Sequence, residues 1–273
     1  MSLLYKPPAG GGFHHVVGPD NSELKLISFA RCTFGTVGNK MRTTSDEEEV
    51  AISILGGKVS VRGTAPSGEF GYENVGERDN VFDGSATVVY LPRGSEYEVV
   101  AETGGADVAI AGTPARRDTK PTLVTPYDVE KKVVGKDNWR RDVYTSVGPN
   151  VDADRLLIGE TYNPPGNWSS APPHKHDVVR PPHEGCMEEV YFFMVDPSQG
   201  FGMMRVYSGQ DSPAQTDAAY VLQNADTVAI PYGYHPVVAG PGYKLYYLWI
   251  LSGEERAYGA WSDDPAHAWL KDT

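Results

Sequence analysis

A histidine pair in the second half of the chain has the spacing of a metal site. His174 and His176 form an H-x-H motif, and residues i and i+2 of a β-strand point to the same face. The two imidazoles therefore project side by side, while Lys175 faces away. Imidazole nitrogens bind divalent transition metals, so this pair supplies half of a site with four protein ligands.

A third ligand is expected to be a carboxylate on the following strand. Glu184 lies in a Pro/Gly-rich loop, where its side chain is hard to hold, which leaves Glu188 and Glu189. Alternation places Glu189 on one strand face with Tyr191 and Phe193. It places Glu188 on the opposite face. Periodicity alone does not say which face is the inner one.

The fourth ligand is expected to be a histidine that follows a P-x-G turn. His235 comes after the apolar run TVAI and the turn at Pro231, which anchors it at the mouth of a barrel. Together with the H-x-H pair and a carboxylate at a strand start, it makes a moderately specific motif. The remaining histidines are interpreted as surface or structural residues: His14, His15, His183 and His267.

The elements that must position these side chains are short strands joined by turns. The 273 residues include 30 Gly and 21 Pro, and runs of β-branched and aromatic residues recur at short intervals. This spacing is typical of a sandwich or barrel rather than of βαβ units, so we predict an all-β fold. In the run from Glu48 to Val61, two strands and a tight hairpin turn at Gly56-Gly57 are expected.

The chain has the organisation of two related halves. A segment from Thr113 to Arg141 is rich in charge and proline and is interpreted as the connection between them. An apolar strand followed by P-x-G occurs at Pro92 and again at Pro231, about half the chain length apart, which indicates an internal duplication. Such a turn is also common in unrelated proteins. The first half has no H-x-H, and Tyr97 stands where its turn would offer a metal histidine.

Composition excludes several classes of function. The chain carries 24 Lys and Arg against 36 Asp and Glu, a net charge of -12, which excludes a nucleic-acid partner that is held by its phosphate backbone. No apolar run approaches the ~18 residues of a membrane helix or the core of a signal peptide. We therefore expect a cytoplasmic protein with no membrane partner. Cys32 and Cys186 are far apart in sequence and are predicted to be free thiols.

Three segments resemble the 5-deoxy-glucuronate isomerases of myo-inositol catabolism, which are similar to the 4-deoxy-5-ketouronate isomerases of pectin breakdown. They are GNWSSAPPHKHD, EEVYFF and IPYGYHPVVAGPGY, and the resemblance extends from LLYKP near the start to DPAHAW near the end. It implies a bicupin fold, with two related double-stranded β-helix (jelly-roll) barrels. Residues 1–125 would form an N-terminal degenerate cupin domain without metal, and residues 126–273 a C-terminal catalytic cupin domain that binds it.

The resemblance also implies a cofactor and a reaction. One divalent metal ion, with zinc favoured over Mn, Fe or Ni, would be held by His174, His176, Glu189 and His235, which selects Glu189 over Glu188. The implied reaction converts 5-deoxy-D-glucuronate to 2-deoxy-5-keto-D-gluconate, an aldose–ketose isomerisation through a metal-stabilised enediolate. The implied partner is thus a small sugar acid, and a homodimer or larger homo-oligomer is expected.

The catalytic base and the carboxylate-binding cation remain open at the level of sequence. Candidates for the base are Glu160, Glu188, Tyr232 and Tyr234. For the substrate carboxylate, Arg205 is the first choice because a strand arginine among apolar neighbours usually has a partner. Lys175 and Arg180 are the alternatives.

Three other functions also stay open: a 4-deoxy-5-ketouronate-type isomerase, a cupin dioxygenase, and a non-enzymatic sugar-binding bicupin. The ligand set does not exclude a dioxygenase, since three histidines and a glutamate suit several divalent metals. The sugar-binding protein is less favoured because a purely structural zinc site is usually closed by Cys or His ligands.

Overall fold

The computed structural model describes residues 2–272 and consists mainly of β-structure. Strands hold 51% of the residues and helix 3%. The predicted all-β class is therefore confirmed. Across the described residues, no helix has both the length and the apolar character needed to cross a bilayer.

The strands of the first half, in chain order, are β1 (Leu4–Tyr5), β2 (Gly12–Val17), β3 (Ser28–Thr33), β4 (Lys40–Thr44), β5 (Glu48–Gly56), β6 (Val59–Ala65), β7 (Gly68–Val75), β8 (Thr87–Leu91), β9 (Glu96–Ala101), β10 (Asp107–Pro114) and β11 (Thr122–Val124). Those of the second half are β12 (Glu130–Val134), β13 (Arg141–Val147), β14 (Leu157–Asn163), β15 (Trp168–Ser169), β16 (His174–Lys175), β17 (Asp177–Arg180), β18 (Glu184–Asp196), β19 (Gly202–Tyr207), β20 (Asp217–Leu222), β21 (Thr227–Ile230), β22 (Val237–Ala239), β23 (Lys244–Gly253) and β24 (Ser262–Asp263). Two short 3-10 helices span Asp137–Trp139 and Ala268–Asp272.

The first half forms two antiparallel sheets around an apolar core. A six-stranded sheet has the order β11-β8-β5-β10-β3-β2, and a four-stranded sheet has the order β4-β9-β6-β7. The inward side chains of β5, Val50, Ile52 and Ile54, pack between the two sheets with Val99 and Tyr97 of β9. This half therefore has a closed interior that is filled by side chains.

The second half repeats this plan with a larger sheet. Its main sheet has the order β1-β21-β18-β23-β14-β13-β12, with β17 also paired to β18, and it faces a four-stranded sheet of order β15-β22-β19-β20. A separate pair, β16 and β24, lies at the histidine motif. Tyr191 and Phe193 of β18 pack in the interior with Tyr247 and Trp249 of β23.

The two main sheets pack against each other through their outer faces. Phe29 and Ala51 of the first half and Val190, Phe192 and Leu248 of the second belong to one buried cluster. The rings of Phe29 and Phe192 are 5.6 Å apart at their centroids. Both β5 and β18 are thus buried on both faces, which explains why they read as near-continuous apolar runs.

The structure corrects two expectations about local organisation. The predicted hairpin at Gly56-Gly57 is wrong, because β5 pairs with β8 and β10 while β6 pairs with β7 and β9. Gly57, at φ +76, instead turns the chain from one sheet into the other. The segment from Thr113 to Arg141 is also more than a connection, since it contains β11, β12 and a 3-10 helix. In addition, β1 crosses over to pair with β21 of the second half.

Candidate metal centre

Three histidines converge inside the second half. The ligand nitrogens of His174, His176 and His235 all lie within 4.8 Å of one another. His174 belongs to β16, His176 follows directly, and His235 lies after the P-x-G turn that ends β21. His176 and His235 are buried, and His174 is half-buried. The structure thus brings together the three histidines that the sequence motifs single out.

Glu189 completes the cluster from the inner face of β18. Its Oε2 atom lies 3.2 Å from Nε2 of His176 and 3.2 Å from Nε2 of His235. The side chain points the same way as Tyr191 and Phe193, which pack in the interior of this half. The face that alternation left undecided is therefore the one that carries Glu189.

Backbone carbonyl groups orient two of the imidazoles. The carbonyl of Met187 accepts a hydrogen bond from Nδ1 of His176 at 2.8 Å, and that of Gly233 accepts one from Nδ1 of His235 at 2.9 Å. A proton on each Nδ1 leaves the Nε2 lone pairs directed at the cluster. Nε2 of His235 is fully buried and has no hydrogen-bond partner in residues 2–272, although a carboxylate oxygen of Glu189 lies 3.2 Å from it.

This arrangement fits a divalent cation. With the two Nδ1 protons on backbone carbonyls, two imidazole lone pairs face a carboxylate oxygen, an arrangement that is costly in a buried site unless a cation satisfies it. Burial lowers the pKa of His174 well below its ordinary value, and nearby His235 and His176 lower it further. For Glu189, burial raises the pKa, but the neighbouring His176 and His235 outweigh this and lower it. Neutral imidazole and ionised carboxylate are the forms that bind metal.

Lys175 lies on the other side of the strand from the histidine pair, as alternation predicts. It is buried, and its Nζ atom lies 2.6 Å from Asp177, 2.8 Å from Glu184 and 3.2 Å from Asp211. The three carboxylates compensate its charge in place of water. Lys175 therefore holds the H-x-H strand in position and does not face the cluster.

The two glutamates predicted as bases lie on outer strand faces. Glu160 of β14 is fully buried between the halves, where it accepts hydrogen bonds from Arg78 at 2.7 Å and from Tyr246 at 2.7 Å. Glu188 accepts three backbone N–H bonds from the first half, whose donors are Lys25, Leu26 and Ile27. The structure does not bring either carboxylate to the histidines, because each is bound to the opposite half.

The two tyrosines near the P-x-G turn also point away from the cluster. The hydroxyl of Tyr232 donates to Glu23 at 3.1 Å. The ring of Tyr234 packs against Tyr207 with centroids 5.1 Å apart, and successive residues of an extended chain point to opposite sides. Only His235, the next residue, turns inward.

The two arginines predicted to bind the substrate carboxylate have carboxylate partners outside the site. Arg205 donates from Nε and Nη2 to Asp217 at 2.8 and 2.9 Å and is exposed on β19. Its neighbours Met204 and Val206 are the ones that point inward. Arg180 is exposed and pairs with Asp211 at 2.6 Å. Neither guanidinium faces the histidines.

Several residues of the site are ones that sequence reasoning missed. The Tyr191 ring lies 5.7 Å from that of His235, and the Trp261 ring lies 5.3 Å from that of His174. Tyr191 could have been predicted from the sequence, because it lies two positions after Glu189 and must share its strand face. Arg141 was assigned to the connection by its charged surroundings, yet it contacts the loop that leads to the H-x-H motif.

A groove of about 710 Å³ lies elsewhere, along the outer side of β18. Glu188, Cys186 and Tyr232 line it, and none of the three clustered histidines does. Convergence of ligand atoms, and not cavity size, therefore locates the candidate site.

Comparison with known proteins agrees with the geometry. The model of the KduI/IolB family matches residues 3–270. A protein of Geobacillus thermodenitrificans named 5-deoxy-glucuronate isomerase is 35% identical over 258 residues, which cover 94% of this chain and 90% of the relative. One of Bacillus subtilis with the same name is 33% identical over 276 residues, which cover 98% of each chain.

Solved structures give the same result for the fold. A crystal structure of an IolB-like protein from Salmonella typhimurium superposes with a TM-score of 0.92 at 30% identity and covers 99% of this chain and 100% of its own. The oxalate decarboxylase of Lactobacillus farciminis, a bicupin, gives a TM-score of 0.66 at 11% identity over 98% of this chain and 88% of its own. The second likeness concerns the fold alone, and it confirms the predicted cupin architecture. By its sequence over nearly its full length, the chain belongs to the KduI/IolB family.

Proposed function

We propose that this protein is an aldose–ketose isomerase that converts 5-deoxy-D-glucuronate to 2-deoxy-5-keto-D-gluconate in myo-inositol degradation. The observation that carries the proposal is the convergence of three imidazoles and one carboxylate on a single point in a KduI/IolB chain. Relatives at 33% and 35% identity that bear the name 5-deoxy-glucuronate isomerase support the choice of substrate.

The proposal includes one divalent ion, zinc, held by His174, His176, Glu189 and His235. When bound, such an ion supplies a Lewis acid for the carbonyl oxygen and the neighbouring hydroxyl of the sugar. The donor set of imidazole nitrogens and one carboxylate suits zinc, and two of the imidazoles are held by backbone carbonyls that fix their tautomer.

The remaining residues of the site prepare the substrate for a proton shift between adjacent carbons. The rings of Phe193 and Tyr247, whose centroids are 5.6 Å apart, pack in the barrel interior against Tyr191, which borders His235. The Tyr191 hydroxyl, 3.4 Å from Oγ of Ser170, offers a hydrogen-bond donor to a substrate oxygen. Glu160 and Glu188 take no part, because their carboxylates are occupied between the halves.

The same proposal divides the chain into two units, residues 1–125 and residues 126–273. Each range contains two facing sheets with an apolar core of its own, which supports the division. Strand β1 is an exception, since it belongs to the first range but pairs in the second. A homodimer or larger homo-oligomer and a cytoplasmic location stay predictions.

Turnover in deuterated water tests the proposed function. Purified protein with measured metal content is incubated with 5-deoxy-D-glucuronate and followed by NMR, with and without a chelator. We expect the ketose acid with deuterium at the carbon next to the carbonyl, loss of turnover on chelation, and recovery with added zinc. No isomer from a metal-containing preparation would refute the assignment. Faster turnover of 4-deoxy-5-ketouronate, or consumption of oxygen, would favour the rival functions.

A further inference from the structure

Arg141 enters the barrel that holds the histidine cluster. It is the first residue of β13, on which Val143 and Thr145 share its face. Val143 packs against the inner core of the second half, and the Thr145 hydroxyl lies 3.1 Å from that of Tyr258, which borders the same core. Arg141 therefore points to the inner side of the sheet.

The guanidinium of Arg141 is half-buried but lacks an acidic partner. Within the described part of the chain, its hydrogen bonds run from Nη1 to the carbonyls of Trp139 at 3.2 Å and Ala171 at 3.4 Å. Within residues 2–272, no carboxylate pairs with it, and its Nε and Nη2 atoms have no protein acceptor. Burial lowers the pKa of Arg141, while Tyr247 and Tyr191 oppose the shift.

Two other arginines that are removed from water, Arg78 and Arg256, have all three guanidinium nitrogens bonded. Arg78 donates to Glu160 at 2.7 Å. Arg256 has no carboxylate, but its Nε, Nη1 and Nη2 atoms each donate to a backbone carbonyl, at 2.8, 2.9 and 2.6 Å. The Nε and Nη2 atoms of Arg141 are not fully buried, so an anion from outside the chain can reach them and supply the partner that the described residues do not.

The unused donors form a fork that matches a carboxylate. Nε and Nη2 are parallel N–H groups, and Arg205 uses these same two atoms to hold Asp217 at 2.8 and 2.9 Å. The other cations predicted for this role are already paired, since Lys175 contacts three carboxylates and Arg180 contacts Asp211. Of these four cations, Arg141 is the one without a carboxylate partner among residues 2–272.

The position of Arg141 relative to the histidines suits an extended sugar acid. Its positive charge lowers the pKa of His174, so it lies within electrostatic range of the cluster, yet it makes no hydrogen bond to any of the clustered residues. A hexuronate has its aldehyde at C1 and its carboxylate at C6. With the carbonyl end at the histidines, the carboxylate must reach a cation in the same barrel that stands off the ligand cluster.

We infer that Arg141 binds the carboxylate of the substrate through Nε and Nη2 and so sets the orientation of the sugar acid at the histidine cluster. The inference rests on the proposed function, because it names the residue that holds the acid end of the same substrate. It assigns specificity for uronic acids over neutral sugars to a single side chain.

A cycle of two enzymes and two substrates tests this inference. Wild type and Arg141→Met are each assayed with 5-deoxy-D-glucuronate and with 5-deoxy-D-xylo-hexose, in which a CH2OH group replaces the carboxylate. We expect the substitution to lower kcat/KM for the acid about 100-fold, mainly through KM, and to change that for the neutral sugar less than about threefold. A purely structural role would lower both substrates equally, and this result would overturn the inference.

Matched variants and a binding measurement keep the test independent of folding and of the proposed reaction. Arg141→Lys keeps the charge without the fork and should lose about tenfold, while Arg205→Met should leave both substrates unchanged. If wild type shows no turnover, the proposed function fails. Calorimetric binding of D-glucuronate against D-glucose then decides the inference alone, which stands if wild type prefers the acid and Arg141→Met does not. Equal preference in both proteins would overturn it.

Discussion

Strands β5 and β18 hold equivalent places in the two halves of the molecule. Their outer faces have the same role, whereas their inner faces differ. Strand β5 begins with Glu48-Glu49-Val50, and the matching stretch of β18 is Met187-Glu188-Glu189. Val50 pairs with Leu91, and Glu189 pairs with Ile230. Each residue of the second pair comes 139 positions after its counterpart in the first pair. The same spacing separates Thr113 from Ser252, whose hydroxyl oxygens lie 2.8 Å apart between the halves.

The outward glutamates are reciprocal. Glu49 accepts the backbone N–H groups of three successive residues in the second half, at 2.6 to 2.7 Å, and Glu188 accepts three in the first half, at 2.6 to 2.8 Å. The inward neighbours differ, since Val50 is part of an apolar core and Glu189 belongs to the histidine cluster. Holding the halves together and holding a metal are thus separate tasks, carried by adjacent residues on opposite strand faces.

The largest effect on metal binding and turnover is expected when Glu189 of β18 is replaced by valine, the residue at the equivalent position of β5. In Glu189→Val, we expect metal content to fall from about one ion per chain to near zero. Turnover should fall by about 10³-fold or more, because a bound Lewis acid is worth several kcal/mol in the transition state. Mass spectrometry of the metal and the NMR assay measure the two effects.

Folding should survive this exchange, since Val50 shows that a valine fits the same register in the other half. The melting temperature of Glu189→Val should match that of chelated wild type within a few degrees. Glu188→Gln is the control, because it alters the adjacent carboxylate while leaving the inner face intact, and it should keep its metal. A Glu189→Val protein with full metal content would show that the carboxylate is not a ligand.

A smaller effect, on stability, is expected from the outward glutamates. Glu49→Ala and Glu188→Ala each leave three N–H groups between the halves without their acceptor, which should cost about 3 kcal/mol in the free energy of unfolding. Urea titration measures it. Glu49→Gln, which keeps one acceptor oxygen, should lose about 1 kcal/mol. If Glu49→Ala destabilises the chain while Glu188→Ala does not, the two contacts are not equivalent and the reciprocal arrangement fails as an explanation.

The comparison also shows how far the sequence could lead. His174, His176 and His235 were identifiable because H-x-H and P-x-G-x-H fix side-chain direction through local geometry. For Arg205, alternation shows that its side chain lies on the face opposite to Met204 and Val206, but it does not say which face is buried. The structure places Arg205 on the exposed face.

Arg141 was beyond sequence reasoning for a different reason. Its significance comes from what it lacks, a carboxylate within reach, and from its contact with Ala171 thirty positions along the chain. The segment around it carries many charges, and only the tertiary structure shows which arginines have all their donors bonded and which do not. The prediction of the hairpin at Gly57 failed similarly, because strand pairing between sheets is set by packing and not by the turn.

The smallest effect concerns the two thiols, which report the closed core of one half and the open rim of the other. Cys32 is buried beside the first core, and burial, aided by the charge of Asp107, raises its pKa to about 11. At pH 8 only about one such thiol in 10³ is ionised, and the thiolate is the reactive form. Cys186 is exposed beside the groove on β18.

Native protein should therefore release about one equivalent of thionitrobenzoate per chain from Ellman's reagent, and protein unfolded in guanidinium should release two. Cys186→Ser should abolish the native signal and Cys32→Ser should keep it, because access to the first core requires unfolding. Rapid labelling of Cys32 in the native state would contradict this, because it would mean that the first core is accessible without unfolding.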